Sequence, residues 1–285
     1  MKNIAFLVAA LMAITAAAQN TGTWKSHPKY IASGSQNLVD TKEMVYFQSS
    51  NHLFGYNKTT GEVGPLDKDN GTSDIVVKNI YHNYVADYTL VVYNNSNIDV
   101  ITSEGRVVNI PDIKDAVYND KKGINDVSFA GGKAYLATEF GLLIVDDATL
   151  QVTDTYYYGK NLTSAIQVGD ILFAAFEDEL YYDTRKNHDD FSQWTNTMRT
   201  VLSPHFYAVN SSRFFMACNG ELNMVDIEME DPETPTLNVS TVASGVASSV
   251  QRTPLGYVAV FPTAGYSYTF DEDGNNPTRQ TVETG

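Results

Sequence analysis

Short apolar runs alternate with short polar ones along nearly the whole chain. Six of the apolar runs open in a similar way: "MVYF" at Met44, "LVVY" at Leu90, "AYLA" at Ala134, "ILFAA" at Ile171, "FFMA" at Phe214 and "YVAV" at Tyr257. Their starts lie 46, 44, 37, 43 and 43 residues apart. Each run resumes after a few polar residues, as "HLFGYN" at His52, "NIDVIT" at Asn97, "GLLIVD" at Gly141, "ELYYDT" at Glu179, "ELNMVDI" at Glu221 and "YSYTFD" at Tyr266. Strand, tight turn and strand make a hairpin. The interrupting slots hold residues such as Asn219-Gly220 and Asn94-Asn95-Ser96-Asn97. Asn and Gly suit such slots because they tolerate left-handed backbone angles. The polar stretch 94–97, with Asp99 beyond it, therefore reads as an exposed hairpin turn and not as a ligand site. Val91 and Ile98 then fall on paired strands.

The strand runs are rich in Val, Ile, Tyr and Phe, and apolar spacing of the helical kind is hard to find after residue 20. A period near 43 with several short strands per unit points to an all-β fold, a β-propeller with six detectable blades of about four strands. The alternative is a seven-bladed ring left one blade short. Closure is expected from residues 23–31 pairing with the last blade, with Trp24 buried against it.

The first eighteen residues change the picture of where the protein works. A basic start at Lys2, an apolar run to about Ile14 and Ala16-Ala17-Ala18 lay out a secretory signal peptide. Residues 1–18 are read as that leader and 19–285 as a single β-propeller domain. The protein is expected to be exported, to the periplasm or the outer-membrane surface. No later run is long enough to cross a bilayer as a helix. The formal net charge of -15 argues against nucleic acid and anionic membrane surfaces. Cys218 is the single cysteine, so no intrachain disulfide forms, and its strand context predicts a buried thiol.

Candidate chemistry is sparse. His27, His52, His82, His188 and His205 include no pair three to five residues apart, so no local zinc motif exists. "DKDNGTSD" from Asp67 and "DEDGNN" from Asp271 place glycine at the fifth and fourth positions, where an EF-hand needs it at the sixth. Both read as turns. His188-Asp189-Asp190 reads as a solvated loop. No nucleophile elbow, phosphate loop or dinucleotide fingerprint occurs. The expectation is no catalysis, no metal and no cofactor. Tyrosine, at 18 residues, clusters at 156–158 and 181–182, where alternation buries one ring between blades and exposes the next.

"GTWKSHPKY" from Gly22, "LVVYNNSNIDVITSEGRVVNIPDI" from Leu90, "GINDVSFAGGKAYLATEFGLLIVD" from Gly123 and "VTDTYYYGKN" from Val152 carry a family likeness in their order and spacing. The segment from Trp24 to about Thr200 resembles the PorZ N-terminal β-propellers of the type IX secretion system. The resemblance implies a non-catalytic protein at the outer-membrane surface. It implies an attachment complex with a cysteine-type sortase that joins cargo to anionic lipopolysaccharide. Family members carry a second propeller and a C-terminal sorting domain, so the chain reads as a fragment or a reduced form. Binding of a protein partner or of anionic lipopolysaccharide is expected through loops on one face of the disc. Lys121, Lys122 and Lys160, in successive inter-blade loops, are the candidate basic patch, with Tyr156 or Tyr158 as a stacking surface. The second reading is a ligand-sensing periplasmic propeller of a hybrid two-component regulator, suggested by the likeness of "DNGTSDIVVKNI" from Asp69 to the inter-blade turns of such sensors.

Overall fold

With the four strands of each unit lettered A to D in chain order, the B and C strands stand where the apolar runs place them, and an inner strand A and an outer strand D complete every sheet. A computed structural model describes residues 37–281 apart from 118–120, 232, 248 and 254. All of these lie in one compact unit, residues 33–285. Twenty-four strands form six four-stranded antiparallel sheets, each a meander in chain order. The sheets are blades spanning 37–66, 77–110, 124–157, 162–200, 205–244 and 249–281. The fold is a six-bladed β-propeller. Among the described residues the one α-helix is α1 (Asp112–Asp115). The expected leader and the expected closure through Trp24 lie outside the described residues. Gln251 Nε2 of blade six donates to Leu38 O of blade one at 3.2 Å, which joins the last blade to the first.

The middle strands are apolar throughout because neighbouring blades cover both of their faces. Strand β6 (Tyr88–Tyr93) is buried at all six positions, and so is β14 (Ile171–Phe176). Outer strands have one wet face, and β12 (Gln151–Tyr157) alternates between exposed and half-buried. Five apolar clusters among the described residues each join two adjacent blades. Phe173 of blade four meets Phe214 of blade five with ring centroids 5.0 Å apart. Full burial of such a side chain is worth about 1.5–3 kcal/mol. In blade three, Gly141 has φ 151°, and a Cβ there would meet Tyr156 O at 2.0 Å. Only glycine lets the outer strand pass so close.

Each strand reverses direction, so two sets of loops separate onto two faces. The upper face carries the B–C turns and the loops from one blade to the next. The lower face carries the A–B and C–D connections. Residues 94–97 form a B–C turn as the pattern predicts, with Val91 paired to Asp99 and Val92 to Ile98. The expected exposure holds for Asn94 and Asn95 only. Ser96 and Asn97 are buried, and Asp99 is fully so. The reason is a polar network. Asp99 accepts from Tyr93 Oη at 2.7 Å, Ser73 N at 2.6 Å and Asn109 Nδ2 at 2.9 Å. Asp74, from the preceding inter-blade loop, accepts from Asn95, Asn97 and Lys114. Burial alone would raise the Asp74 carboxyl. Those three donors outweigh it and hold the pKa below the ordinary carboxylate value.

Candidate functional site

The five residues of the sequence-derived patch occupy the upper face around blade three. Lys121 is exposed in the loop that enters the blade. Lys122 is turned back: its Nζ donates to Lys114 O at 3.0 Å and to Ala116 O. Those carbonyls end helix α1, and a lysine there satisfies acceptors the helix leaves open. Lys160 is exposed in the loop that leaves the blade, with Nζ 5.2 Å from the centroid of the Phe191 ring. The two loops touch. Asn125 Nδ2 donates to Asn161 Oδ1 at 2.8 Å and to Leu162 O at 2.7 Å. The fold therefore brings the loops of Lys121 and Lys160 together, while the Lys122 ammonium is spent on its own loop.

The tyrosines end strand β12. Tyr156 and Tyr158 stack, with centroids 6.3 Å apart and planes 6° from parallel. Tyr156 is half-buried. Tyr158 packs against Phe176, Phe191 and Trp194, and its Oη donates to His188 O at 2.8 Å. Phe191 and His188 belong to the C–D connection of blade four, residues 184–194. This connection leaves the lower face and folds back, so that Phe191 reaches Phe176 at 4.3 Å. The solvated loop expected at His188–Asp190 holds for Asp189 and Asp190, which are exposed, but not for His188, which is buried. Its Nδ1 lies 2.9 Å from Asp183 Oδ2, and Arg185 grips the same carboxylate through Nε and Nη2 at 2.8 and 3.0 Å. Burial would raise the Asp183 carboxyl. The hydrogen bonds from Arg185 and His188 outweigh it and lower its pKa.

A second polar group lies at the axis and carries no local sequence signal. Asp126 on β9 (Ile124–Ala130) is buried. It accepts from Ser164 Oγ at 2.6 Å and meets His205 Nδ1 at 3.0 Å. The three residues come from blades three, four and five, and Asp126 and His205 are 79 positions apart. Attraction to Asp126 raises the His205 pKa despite burial. The serine gives its proton to the carboxylate and not to the imidazole. A hydrolytic triad needs the serine on the imidazole, so these contacts tie three blades together and do not activate a nucleophile.

The remaining candidates fall into place as turns or core. Asp271 accepts from Asp273 N, Asn275 N and Asn276 Nδ2, closing its loop on itself. Asp67 accepts from Asp69 N. Among the described residues no group of three or more His, Cys, Asp or Glu is placed to hold a metal. Cys218 is buried, and that burial pushes its thiol pKa up. No helix among the described residues is long and apolar enough to cross a membrane.

Residues 45–195 match the family described as the N-terminal β-propeller domain of PorZ of the type IX secretion system. Among solved structures, one similar to this chain is PorZ of Porphyromonas gingivalis, described as an essential bacterial surface component of that system. It shares 23% identity with a TM-score of 0.67, over 87% of this chain and 33% of PorZ. The chain thus spans about a third of the length of that relative. The WD40 β-propeller domain of Doa1 is similar at 11% identity and TM-score 0.58, over 92% of this chain and 85% of that one. At these identities both likenesses speak for the fold. No curated protein matches the sequence.

Proposed function

The chain belongs to the PorZ N-terminal β-propeller family, and on that premise we propose that it is a non-catalytic scaffold of a type IX secretion-associated complex. In this reading residues 1–18 direct export, and the propeller works in the periplasm or at the outer-membrane surface. Its partner is a sortase-type attachment complex or anionic lipopolysaccharide, met by the upper face. The family match favours this over the two-component sensor.

The observation that carries the binding face is the hydrogen bond from Asn125, at the start of β9 just after the Lys121 loop, to Asn161 of the Lys160 loop, which makes the two lysine-bearing loops neighbours on the upper face. A chain at -15 repels an anionic polymer at long range. A local pair of cations with a ring beside them offsets that repulsion at short range. Inter-blade loops on the same face, that of Lys121 included, leave aliphatic side chains in water, namely Ile75, Val76, Val117, Leu202 and Val246.

The test is binding of purified anionic lipopolysaccharide to wild type and to Lys121→Glu/Lys160→Glu, at low and moderate salt. The reading expects binding that weakens with salt and falls about tenfold or more in the variant. Equal binding by both proteins with no salt dependence overturns the patch and leaves the protein partner as the occupant of this face.

A further inference from the structure

We propose that the axial channel of the propeller binds a small organic anion, entered from the lower face and held between Lys133 and Arg252. This inference stands apart from the upper-face reading and does not depend on it.

The channel is a cavity of about 990 Å³ to which all six blades contribute. That volume lies at the top of the range for small-molecule sites. Acidic residues outnumber basic ones by 34 to 19 in the chain, yet among the described residues no Asp or Glu side chain lines this cavity. Lys133 and Arg252 do, together with His82 and His205. Lys133 follows the A–B turn of blade three, and Arg252 precedes the A–B turn of blade six. Blades three and six oppose each other in a ring of six, so the two cations stand across the lower mouth. Cations at the mouth of a low-dielectric channel concentrate their field on an entering ion.

Carboxylates also stand near this mouth: Asp147 accepts from the lining residue Asn83 at 2.8 Å and from Tyr88 Oη at 2.7 Å, and Asp146 attracts Lys133. Asp146, opposite Lys133 in the sheet register, accepts from Ala148 N, Thr149 N and Thr149 Oγ1. Asp126 touches the wall through His205, but it is buried and also holds Ser164.

Deeper in, the wall offers rings and neutral donors. Tyr81 Oη accepts from Asn79 Nδ2 at 2.8 Å, which leaves its own proton to give. Burial first, and then the Asp126 charge, raise the pKa of both Tyr81 and Tyr207, so both remain protonated donors. An oxyanion at the mouth with a ring-sized body lying on Tyr81 and Tyr207 matches this layout. A neutral body lacks the element that the charged rim selects.

The oxyanion is carried equally well by a phosphate ester or a carboxylate, so the probes are glucose 6-phosphate and benzoate, with glucose as the neutral control. Titration calorimetry is run on wild type, Lys133→Ala/Arg252→Ala and the charge-preserving Lys133→Arg/Arg252→Lys, each checked for an unchanged melting temperature. At least one anion is expected to bind while glucose does not. Its affinity should fall about tenfold or more in the alanine pair and persist in the charge-preserving pair. Three results overturn the proposal: neither anion binding at millimolar concentration, glucose binding as well as the anions, or the alanine pair binding like wild type.

Discussion

Residues 94–97 turn blade two and Asn219-Gly220 turn blade five at the same place in the repeat. Both turns use left-handed backbone, at Ser96 with φ 66° and at Asn219 and Gly220 with φ 56° and 75°. Both also clasp the inter-blade loops beside them. In blade five Asn219 Nδ2 donates to Thr200 O, Leu202 N donates to Asn219 Oδ1, and Gly245 N donates to Gly220 O. In blade two Asn94 N donates to Val76 O, and Ser96 Oγ donates to Lys122 O. The difference is what lies underneath. The blade-five turn is exposed and uses backbone partners and one amide side chain. The blade-two turn buries Asn97 and Asp99 and draws in the ionised Asp74 with Lys114. The slot sets the backbone, while the neighbouring loops decide how much structure hangs on it.

The largest effect should come from Asp99→Ala. It takes the acceptor from the Tyr93 hydroxyl proton and from Ser73 N and removes one acceptor from Asn109, and each buried unpaired group costs about 1–3 kcal/mol. Chemical denaturation should show a loss of about 3–5 kcal/mol. A loss under about 1 kcal/mol would make the two turns equivalent.

Acid should separate the turns next. The folded Asp74 pKa is depressed, so its contribution is fully present above the ordinary carboxylate pKa. It is lost as pH falls through the lowered value. Hydrogen exchange on lowering the pH should deprotect the amides of Ser96 and Asn97 before those of Asn219 and Gly220, and Asp74→Asn should abolish the order.

Asn219→Ala puts a residue that tolerates positive φ less well than asparagine at φ 56° and removes two side-chain hydrogen bonds, both at the surface. Its cost should be about 1–2 kcal/mol by the same denaturation measurement. The smallest contrast lies between two adjacent lysines. Lys122→Ala removes the donor to the end of α1 and should cost about 1 kcal/mol, while Lys121→Ala should stay within about 0.5 kcal/mol. Equal losses would mean that the Lys122 contacts carry no weight.

The B–C hairpins were legible because both their faces are covered, which leaves long apolar runs such as Leu90–Tyr93. The inner and outer strands were not. Strand β9 mixes Asp126 and Ser128 with Val127 because these polar residues bond to other blades, Asp126 to Ser164 and His205 and Ser128 to Ala165, and β24 (Thr278–Thr281) is exposed at every position. Lys121 and Lys160 could be placed on one face from the period alone. The engagement of Lys122 could not, since it depends on a four-residue helix with no amphipathic signature. The burial of His188 depends on Phe191 folding back onto Phe176, a contact between distant parts of blade four. The pairing of Asp126 with His205 joins blades three and five and leaves no mark in local spacing.

The upper face as the binding face is tested most directly by hydrogen-exchange footprinting of residues 19–285 with and without purified anionic lipopolysaccharide. Protection should concentrate in residues 121–125 and 156–161, and Lys121→Glu/Lys160→Glu should remove it. Protection confined to the A–B and C–D connections of the lower face, or the same protection in the variant, would contradict the proposed binding face.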